Sequence, residues 1–416
     1  MSGSAEPYGP EGLPLEDARQ RILEAIQPLT DLETLALADA LGRVSAEPTV
    51  AQEAVPGFRA SMMDGYALGQ ATQPAQGERW SLRGRAVAGQ PFQGSLGAGE
   101  AIRILTGAPL PQGADWVLPQ ELVRENDQAI TLVQEASDRP WIRAADEECR
   151  ADDVLLEAGH RLGPADLARL ASCGIADLKV HQQAKIGMLI SGDELVPAGS
   201  IRPAGAIWES NGTLLETMLR KLGHNVHDRR VVPDQPEALR SNLSDLAAVC
   251  DVVVTTGGVS AGDSDWIRPL VAELGSVDFW KLFLRPGRPF AFGTLGHGVP
   301  FFGLPGNPVA AAITALQLLW PALQRLEGQA SPELFPRLRV ELADPLQRRP
   351  GRPELARARL ESNAQGKLLA RLNGSQASSR ISSLHQADLL LEVPADAGTL
   401  DVGTPLWAQL VRTRLL

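Results

Sequence analysis

The chain has 416 residues, of which 44% are hydrophobic and 21% charged, a composition typical of globular rather than disordered proteins. At about 100–200 residues per domain, this length predicts several domains. With 39 Lys and Arg against 50 Asp and Glu, the net charge of -11 argues against a protein that coats nucleic acid, and an anionic substrate would need a locally basic or metal-loaded pocket.

The first half of the chain is predicted to contain a discontinuous linker domain, residues 14–50 and 150–181, interrupted by an inserted β-rich domain, residues 51–149. A helix is predicted from Pro14, where apolar residues recur at helical spacing, and further helices over 32–41 and 165–172. Within the insert, glycines separate short apolar runs at 80–82, 86–88, 101–105, 116–118 and 130–133, a pattern typical of short strands and turns.

The second half is predicted to form an α/β domain, residues 182–328, and a C-terminal β domain, residues 332–416. In the α/β domain, strands at 185–190, 225–232, 251–256, 279–284 and 300–304 alternate with helices at 211–222, 236–248, 264–274 and 308–319. Such alternation predicts a parallel sheet with flanking helices and a ligand beyond the carboxyl ends of its strands. Strands at 338–342, 388–393 and 405–411, with no long helix, predict a C-terminal barrel or sandwich, so the fold class is multi-domain α/β plus β.

Cellular location follows from the cysteines and from the apolar pattern. Cys149, Cys173 and Cys250 are far apart in the sequence and form no CxxC pair, which argues against an iron–sulfur cluster or a disulfide scaffold. The N-terminus lacks the apolar core of a secretory signal, and the longest apolar stretch, 309–323, is shorter than the roughly 20 residues of a membrane span. We therefore expect a cytoplasmic protein without a membrane segment.

Two loops at strand ends are candidates for phosphate binding. Gly257, Gly258 and Ser260 follow the apolar strand 251–256, where uncovered N–H groups can hold phosphate oxygens, although a tight turn explains the glycines equally well. Pro305, Gly306, Asn307 and Pro308 follow strand 300–304, where helix capping alone explains Asn307 and Pro308. Taken together, the two loops favour a ligand site; neither is a Walker A or a GxGxxG motif.

Acidic and basic side chains are expected near the same edge of the sheet. Ser191, Gly192, Asp193 and Glu194 follow strand 185–190, and Asp263 and Asp265 follow the glycine loop. These carboxylates are candidate ligands of Mg²⁺, or simply solvated acids. Lys281, Arg285 and Arg288 could hold an oxyanion, or lie on a solvated strand edge. No histidine neighbours a plausible nucleophile, so a Ser–His–Asp or Cys–His hydrolase is unsupported.

Six motifs occur in a fixed order: MMDGYA, LTGAPLPQGAD, SGDEL, TTGGVSAGDSDW, RPGRPFAFG and GLPGNPV. Together they resemble those of the molybdopterin molybdenumtransferases, the MoeA and gephyrin E-domain family. The resemblance implies an elongated homodimer whose active site lies between the α/β domain of one subunit and the inserted domain of the other. It also implies a reaction that converts adenylylated molybdopterin and molybdate into molybdenum cofactor and AMP, with Mg²⁺ or a similar divalent cation, and an adenylyltransferase that could deliver the adenylate.

The resemblance also assigns roles to individual residues. The catalytic set is Asp64, Thr106, Glu148, Glu194 and Asp265, and the metal-binding set is Asp193, Glu194, Asp234 and Asp265. The substrate-binding set is Ser191, Gly192, Asp193, Gly257, Gly258, Ser260, Lys281, Arg285, Arg288, Pro305, Gly306, Asn307 and Pro308. This chain departs from the family pattern at Ala144 and Ala145, which replace arginines, and at Glu148, Ser191, Arg285 and Arg288, which keep the chemical type.

Two other functions remain open at this point. One is the preceding step, adenylylation of molybdopterin by ATP, although that activity normally needs only the α/β domain. The other is a non-catalytic molybdopterin-binding scaffold, which the two missing arginines favour. The sequence also leaves open the choice between molybdate and tungstate and the apoenzymes that receive the cofactor.

Overall fold

The structure, a computed structural model, describes residues 12–259 and 266–411. The chain begins with α1 (Leu15–Ala25), β1 (Leu32–Ala36), a 3₁₀ turn (Leu37–Asp39) and β2 (Thr49–Val50). The helix predicted from Pro14 is confirmed, and it buries Ala18 and Ile22. The helix predicted over 32–41 is wrong, because β1 pairs antiparallel with residues 177–181. Pairing with so distant a segment decides between strand and helix where a short apolar run leaves both open.

The inserted segment contains eight described strands, six of which form one sheet. Its strands are β3 (Ala60–Ser61), β4 (Gly65–Leu68), β5 (Arg79–Ala86), β6 (Glu100–Ile104), β7 (Trp116–Pro119), β8 (Val123–Asn126), β9 (Ala129–Leu132) and β10 (Ile142–Arg143). The sheet order is β7-β4-β6-β5-β9-β8, while β3 and β10 form a separate pair. The apolar runs predicted at 80–82, 101–105, 116–118 and 130–133 fall largely on β5, β6, β7 and β9, whereas the run at 86–88 contributes only Ala86, the last residue of β5.

After the insert the chain returns to the segment that precedes it. β11 (Val154–Leu156), α2 (Pro164–Ser172) and β12 (Asp177–His181) follow one another, and α2 confirms the helix predicted over 165–172. β11 pairs with β2 and β12 pairs with β1, so two small sheets join residues on either side of the insert. This part of the molecule therefore contains more strand than the sequence pattern indicated. All three cysteines are free, although Cys149 Sγ and Cys173 Sγ lie 3.7 Å apart.

The α/β unit positions the functional loops. Its elements are β13 (Ile186–Ser191), β14 (Leu195–Val196), β15 (Ile207–Trp208), α3 (Asn211–Lys221), β16 (Val226–Val232), α4 (Pro236–Val249), β17 (Val252–Thr256), α5 (Ile267–Leu274), β18 (Gly275–Lys281), β19 (Pro289–Leu295), β20 (Val299–Leu304) and α6 (Pro308–Leu326). Residues 315–319 of α6 are π-helical. The main sheet has the order β16-β13-β17-β20-β19-β18.

The main sheet is mixed, not purely parallel as predicted. β16, β13, β17 and β20 are parallel, whereas β19 runs antiparallel to β20 and β18 antiparallel to β19. The strand predicted at 279–284 lies earlier, as β18, and β19 was missed. Pro286 and Pro289 obscure β19 in the sequence, because proline within an apolar run argues against a strand.

Helix α6 runs through the core of the molecule. In the described parts of the chain it alone is long and apolar enough to cross a membrane, and 94% of its most apolar stretch is buried inside the protein. Leu318, Leu319 and Trp320 of this helix pack in the same core as Phe290 and Phe302 of the sheet. A core helix of this kind carries the loop before it, residues 305–307, on a rigid support.

The C-terminal unit is a closed barrel, which settles the choice between barrel and sandwich. Its strands are β21 (Arg337–Leu342), β22 (Glu354–Ser362), β23 (Leu368–Leu372), β24 (Leu389–Val393) and β25 (Pro405–Leu410), in the order β21-β23-β22-β24-β25. The predicted strands 338–342, 388–393 and 405–411 are confirmed, whereas β22 and β23 were missed. The pattern of β22 is weak because arginines at 357 and 359 interrupt its apolar residues.

A buried ion cluster joins the linker segment to the α/β unit. Glu327, at the end of α6, accepts hydrogen bonds from Arg161 Nη2 at 2.9 Å, while its other oxygen lies 3.0 Å from His224 Nδ1. Arg161 Nη1 also donates to the carbonyl oxygen of Gly42 at 2.6 Å. Burial tends to raise the pKa of Glu327, but His224 and Arg161 outweigh it and hold the pKa below its ordinary value.

We expect Glu327→Ala to lower the thermal unfolding midpoint strongly. Removing the carboxylate leaves Arg161 and His224 without their acidic partner in a buried site, which costs about 3–5 kcal/mol. Because the folded-state pKa is depressed, the stabilisation is present above the ordinary pKa of about 4.3 and is lost as the pH falls through the folded-state value. Differential scanning calorimetry checks this, with the exposed Glu24→Ala as matched control. Equal midpoints for the two variants at pH 7 would contradict the role of the cluster.

Candidate active site

A cleft of about 960 Å³ opens at the carboxyl ends of the parallel strands. β13 ends at Ser191, β17 at Thr256 and β20 at Leu304, and the loops that follow these strands line the cleft. The rest of the described lining consists of residues 207–211, 234, 285–289, 310, 352, 376–379 and 381. The position is where the topology of a parallel sheet places a ligand.

The loops after β13 and β17 touch each other. Gly257 has φ +95°, and a β-carbon at this position would lie 2.5 Å from the carbonyl oxygen of Ser191. Gly258 also has a positive φ, of +62°. A residue with a side chain would fit neither the space nor the backbone conformation at 257. The two glycines therefore let this loop bend tightly against Ser191 and leave backbone in the cleft wall.

Asn211 joins the loops after β17 and β20. Its Nδ2 donates to Thr256 Oγ1 at 2.9 Å and to the carbonyl oxygen of Gly306 at 2.8 Å. Thr256 Oγ1 in turn donates to the carbonyl oxygen of Pro305 at 3.1 Å. Sequence reasoning missed Asn211; the available signal was an asparagine at the start of a predicted helix, a position usually explained by capping.

The loop before α6 differs in detail from its sequence interpretation. Pro308 occupies the first turn of α6, as expected, and Asn307 is the N-terminal boundary residue. The side chain of Asn307 makes no capping hydrogen bond. Capping therefore does not account for this asparagine, whose residue lines the cleft together with Pro305, Gly306 and Pro308.

The acids predicted to hold a metal divide into three groups. Glu194 and Asp234 line the cleft. Asp193 does not appear in its described lining, and its Oδ1 accepts a hydrogen bond from the backbone N–H of Asp234 at 3.0 Å. Asp265, with Asp263 and Ser260, lies outside the described residues.

The pKa of the Asp234 carboxyl is raised above its ordinary value. Burial raises the pKa of its carboxyl, and the charges of Asp193 and Glu194 raise it further, while the hydroxyl of Ser191 partly offsets the rise. Within residues 12–259 and 266–411, no group of three or more His, Cys, Asp or Glu side chains is arranged to hold a metal ion. The described acids therefore do not by themselves make up a metal site.

Three arginines give the cleft a positive wall. Arg285 and Arg288, from the turn between β18 and β19, are joined by Arg352 from the C-terminal unit. Burial lowers the pKa of Arg352, and the charges of Arg288 and Arg285 lower it further. Arg352 was not predicted, because no motif marked the C-terminal unit. A bound anion would relieve the repulsion among these guanidinium groups.

Two other residues predicted to bind the substrate, Lys281 and Gly192, do not line the described cleft. Lys281 is absent from the described lining of the cleft; it ends β18, and its carbonyl oxygen accepts a hydrogen bond from the N–H of Leu13 at 2.9 Å. Gly192 is also absent from that lining, although it separates Ser191 from the acids.

Glu354 is almost fully buried, and its carboxylate lies 3.5 Å from Arg285 Nη1.

Asp64 and Thr106 form a separate pair in the insert. Thr106 donates to Asp64 Oδ1 from both its N–H and its Oγ1, each at 2.8 Å, although the residues are 42 positions apart. These two bonds, backbone first, lower the pKa of the Asp64 carboxyl. Glu148 lies elsewhere, 4.0 Å from Arg169 Nε. None of the described residues that line the cleft comes from 51–149, so a single chain does not bring Asp64 into it.

Regions of known protein families match nearly the whole length of this chain. Residues 13–174 match the MoeA N-terminal region (domain I and II), residues 187–325 a probable molybdopterin binding domain, and residues 339–410 the MoeA C-terminal region (domain IV). A molybdopterin biosynthesis MoeA protein of Pyrococcus horikoshii OT3 is 26% identical, with a TM-score of 0.81 over 96% of this chain and 99% of that one.

Two curated proteins are similar in sequence. A molybdopterin molybdenumtransferase of Haemophilus influenzae is 35% identical over 94% of this chain and 96% of its own length. A gephyrin of Dictyostelium discoideum is 30% identical over 96% of this chain, which spans 62% of that protein's length. The six motifs, the fold and these similarities agree, and the chain belongs to the molybdopterin molybdenumtransferase family, whose members are transferases.

Proposed function

We propose that this protein inserts molybdate into adenylylated molybdopterin and releases AMP, which yields molybdenum cofactor. The observation that carries the proposal is the cleft itself, where Arg285, Arg288 and Arg352 face glycine-rich loops in a chain of net charge -11. Both substrates are anions: one contains a diphosphate and the other is an oxyanion. Fixed guanidinium groups are suited to both kinds of oxygen.

In this mechanism the protein works by positioning and electrostatics. The loops at Gly257–Gly258 and Pro305–Asn307 line one wall, where backbone groups can hold phosphate oxygens. The arginines hold the molybdate dianion near the dithiolene thiols, which form bonds to molybdenum as one molybdate oxygen leaves as water. A water or molybdate oxygen attacks the phosphoanhydride, whose P–O bond breaks to release AMP. The protein therefore needs no nucleophile, which agrees with a cleft lined in its described part by no Cys, His or Lys.

We propose that Asp64 and Thr106 act in the cleft of a partner subunit within a homodimer. Thr106 fixes the orientation of the carboxylate, and the lowered pKa of Asp64 shows that the two hydrogen bonds stabilise its charged form. The described lining of the cleft includes no residue of the insert. A negatively charged group with a fixed orientation is suited to a cleft whose opposite wall carries three arginines.

Magnesium is a further element of the proposal, and the described acids fit it in part. Glu194 and Asp234 would hold the ion, because the raised pKa of Asp234 marks crowded negative charge that a divalent cation would relieve. Bound there, Mg²⁺ would neutralise charge on the diphosphate. The buried hydroxyl of Ser191 lies beside Asp234 and has no hydrogen-bond partner among the described residues.

Two alternatives are disfavoured. An adenylyltransferase for the preceding step would not need the insert and the C-terminal unit, and Arg352 of the latter lines the cleft. A scaffold would bind molybdopterin without turnover. The proposal allows for a separate adenylyltransferase that delivers the adenylate to this protein.

Turnover separates these functions. We expect AMP release from adenylylated molybdopterin that depends on molybdate, measured by chromatography of the nucleotide products. ATP with molybdopterin should yield no adenylate. Tight binding without AMP would favour the scaffold, and ATP consumption would favour the adenylyltransferase. A parallel series with tungstate measures the preference between the two oxyanions.

The shared active site predicts complementation between two inactive variants. Asp64→Asn and Glu194→Gln should each abolish AMP release while keeping the fold. After mixing, unfolding and refolding, half of the dimers are mixed, and each mixed dimer has one intact site of two. We therefore expect about a quarter of the wild-type rate. Recovery should fail for Asp64→Asn mixed with Thr106→Val, because both changes affect the same side of the site; recovery there, or none in the first mixture, would contradict the arrangement.

The magnesium proposal predicts a pH-dependent affinity. We expect calorimetry to detect Mg²⁺ binding that weakens as the pH falls toward the raised pKa of Asp234, since protons compete for the same carboxylate. Asp234→Asn and Glu194→Gln should weaken binding by at least about tenfold. Glu237→Gln, in the first turn of α4, is the matched control. Unchanged affinity in both cleft variants would exclude these acids as ligands.

A further inference from the structure

We propose that Trp208 and Arg202 form a stacking platform for a planar heteroaromatic ring of the substrate, either the pterin or the adenine. The identity of the substrate rests on the proposed function; the platform itself rests on the geometry of residues 195–211. The inference adds a binding residue that none of the six motifs contains.

The described part of the cleft offers a substrate ring one aromatic surface. Its described lining consists mainly of glycines, prolines, hydroxyl groups, acids and arginines, and Trp208 is the single aromatic side chain in it. Trp208 is 51% exposed although tryptophan is usually well buried. An adenylylated pterin carries two planar rings besides its phosphates. A ring bound against Trp208 would bury apolar surface on both partners.

The indole ring is held in place from several sides. Its backbone belongs to β15, which pairs in parallel with β14, so that Trp208 lies opposite Val196. Its Nε1 donates to the carbonyl oxygen of Ser200 at 3.2 Å. The guanidinium of Arg202 lies 5.1 Å from the ring centroid, and Arg202 Nη1 is itself fixed by a 2.7 Å bond to the carbonyl oxygen of Ala206. The exposed ring is therefore a preorganised surface.

The guanidinium of Arg202 lies over the indole ring of Trp208. A cation over one face of an indole is attracted by the negative charge of the ring. The hydrogen bond from Nε1 leaves the indole without an unsatisfied donor that would compete for polar groups of a ligand. A flat ligand can then bind through its face alone, which is how proteins hold bases in a sequence-tolerant manner.

The platform is also mechanically linked to the polar part of the cleft. The N–H of Ile207 donates to the carbonyl oxygen of Glu194 at 2.8 Å, and the N–H of Glu209 donates to that of Val196 at 2.8 Å. Glu209 accepts a bond from the N–H of Gly212, at the start of α3, at 2.6 Å. A ring on Trp208 would thus lie at a fixed position relative to Glu194 and Asn211, with the attached phosphates directed into the cleft.

The test compares four variants in the AMP-release assay. Trp208→Ala should raise the KM for adenylylated molybdopterin by about 10- to 100-fold, the range expected for loss of one stacked ring, with kcat changed less than about threefold. Trp208→Phe should restore most of the affinity, whereas Trp208→Leu should not, because leucine supplies apolar area without an aromatic face. Ile201→Ala, at a 95% exposed apolar residue of the same loop, is the matched control and should behave as wild type.

Inhibition by AMP identifies the ring. If the adenine stacks on Trp208, the inhibition constant of AMP rises in Trp208→Ala as much as the KM does; if the pterin stacks there, AMP inhibits both proteins equally while the KM still rises. Equal KM values for the leucine and phenylalanine variants would refute stacking. An unchanged KM in Trp208→Ala, or a change in its mass by light scattering, would assign the residue to another role and overturn the proposal.

A direct binding titration keeps this test separate from that of the function. Quenching of tryptophan fluorescence by adenylylated molybdopterin should be smaller in Trp208→Phe than in wild type at saturation, with or without turnover. If the wild-type protein releases no AMP but this difference is found, the proposed function fails and the platform stands. If AMP is released and the difference is absent, the platform fails alone.

Discussion

The contact between Gly257 and Ser191 is the constraint on which the cleft depends. A β-carbon at 257 would lie 2.5 Å from the carbonyl oxygen of Ser191, a separation that no side chain tolerates. The same loop is tied to the next one by Asn211, whose amide bonds Thr256 and Gly306. These contacts join three loops from three parallel strands, and the residues that make them also line the cleft. The site is therefore shaped before a ligand arrives, which is what catalysis by positioning requires.

The charge of the cleft is assembled from two units that are distant in sequence. Arg285 and Arg288 come from the β18–β19 turn, and Arg352 from the residues before β22. Behind them, Glu354 is 1% exposed and lies 3.5 Å from Arg285 Nη1. Arg357 is fully buried, and burial lowers its pKa to about 10. The buried acid partly balances these cations, so the net positive charge remains on the open side, toward an anion.

The sequence predicted features that depend on local pattern and failed where distant segments decide. Helix 211–222 and the strands before the glycine loops have a clear local periodicity, and they are found where expected. β1 and β19 were missed because each is a strand only through its pairing with another segment. The same limit applies to the site: motifs marked Arg285, but Arg352 and Asn211 contribute through the packing of units and loops, which no short motif encodes. The contact of Thr106 with Asp64 joins two motifs that the sequence could only name separately.

The two alanines at 144 and 145 raise the question of which cation accompanies Asp64 in this chain. Arg103 lies opposite Tyr66 in the pairing of β4 with β6, its guanidinium is 4.9 Å from the centroid of that ring, and it donates to Gln120 Oε1. Thr106 chiefly lowers the pKa of Asp64, and the charge of Arg103 adds a smaller part. A positive charge thus remains near the acid without arginines at 144 and 145. Since Tyr66 and Gln120 hold Arg103 in place, the charge that accompanies Asp64 does not depend on cations at 144 and 145.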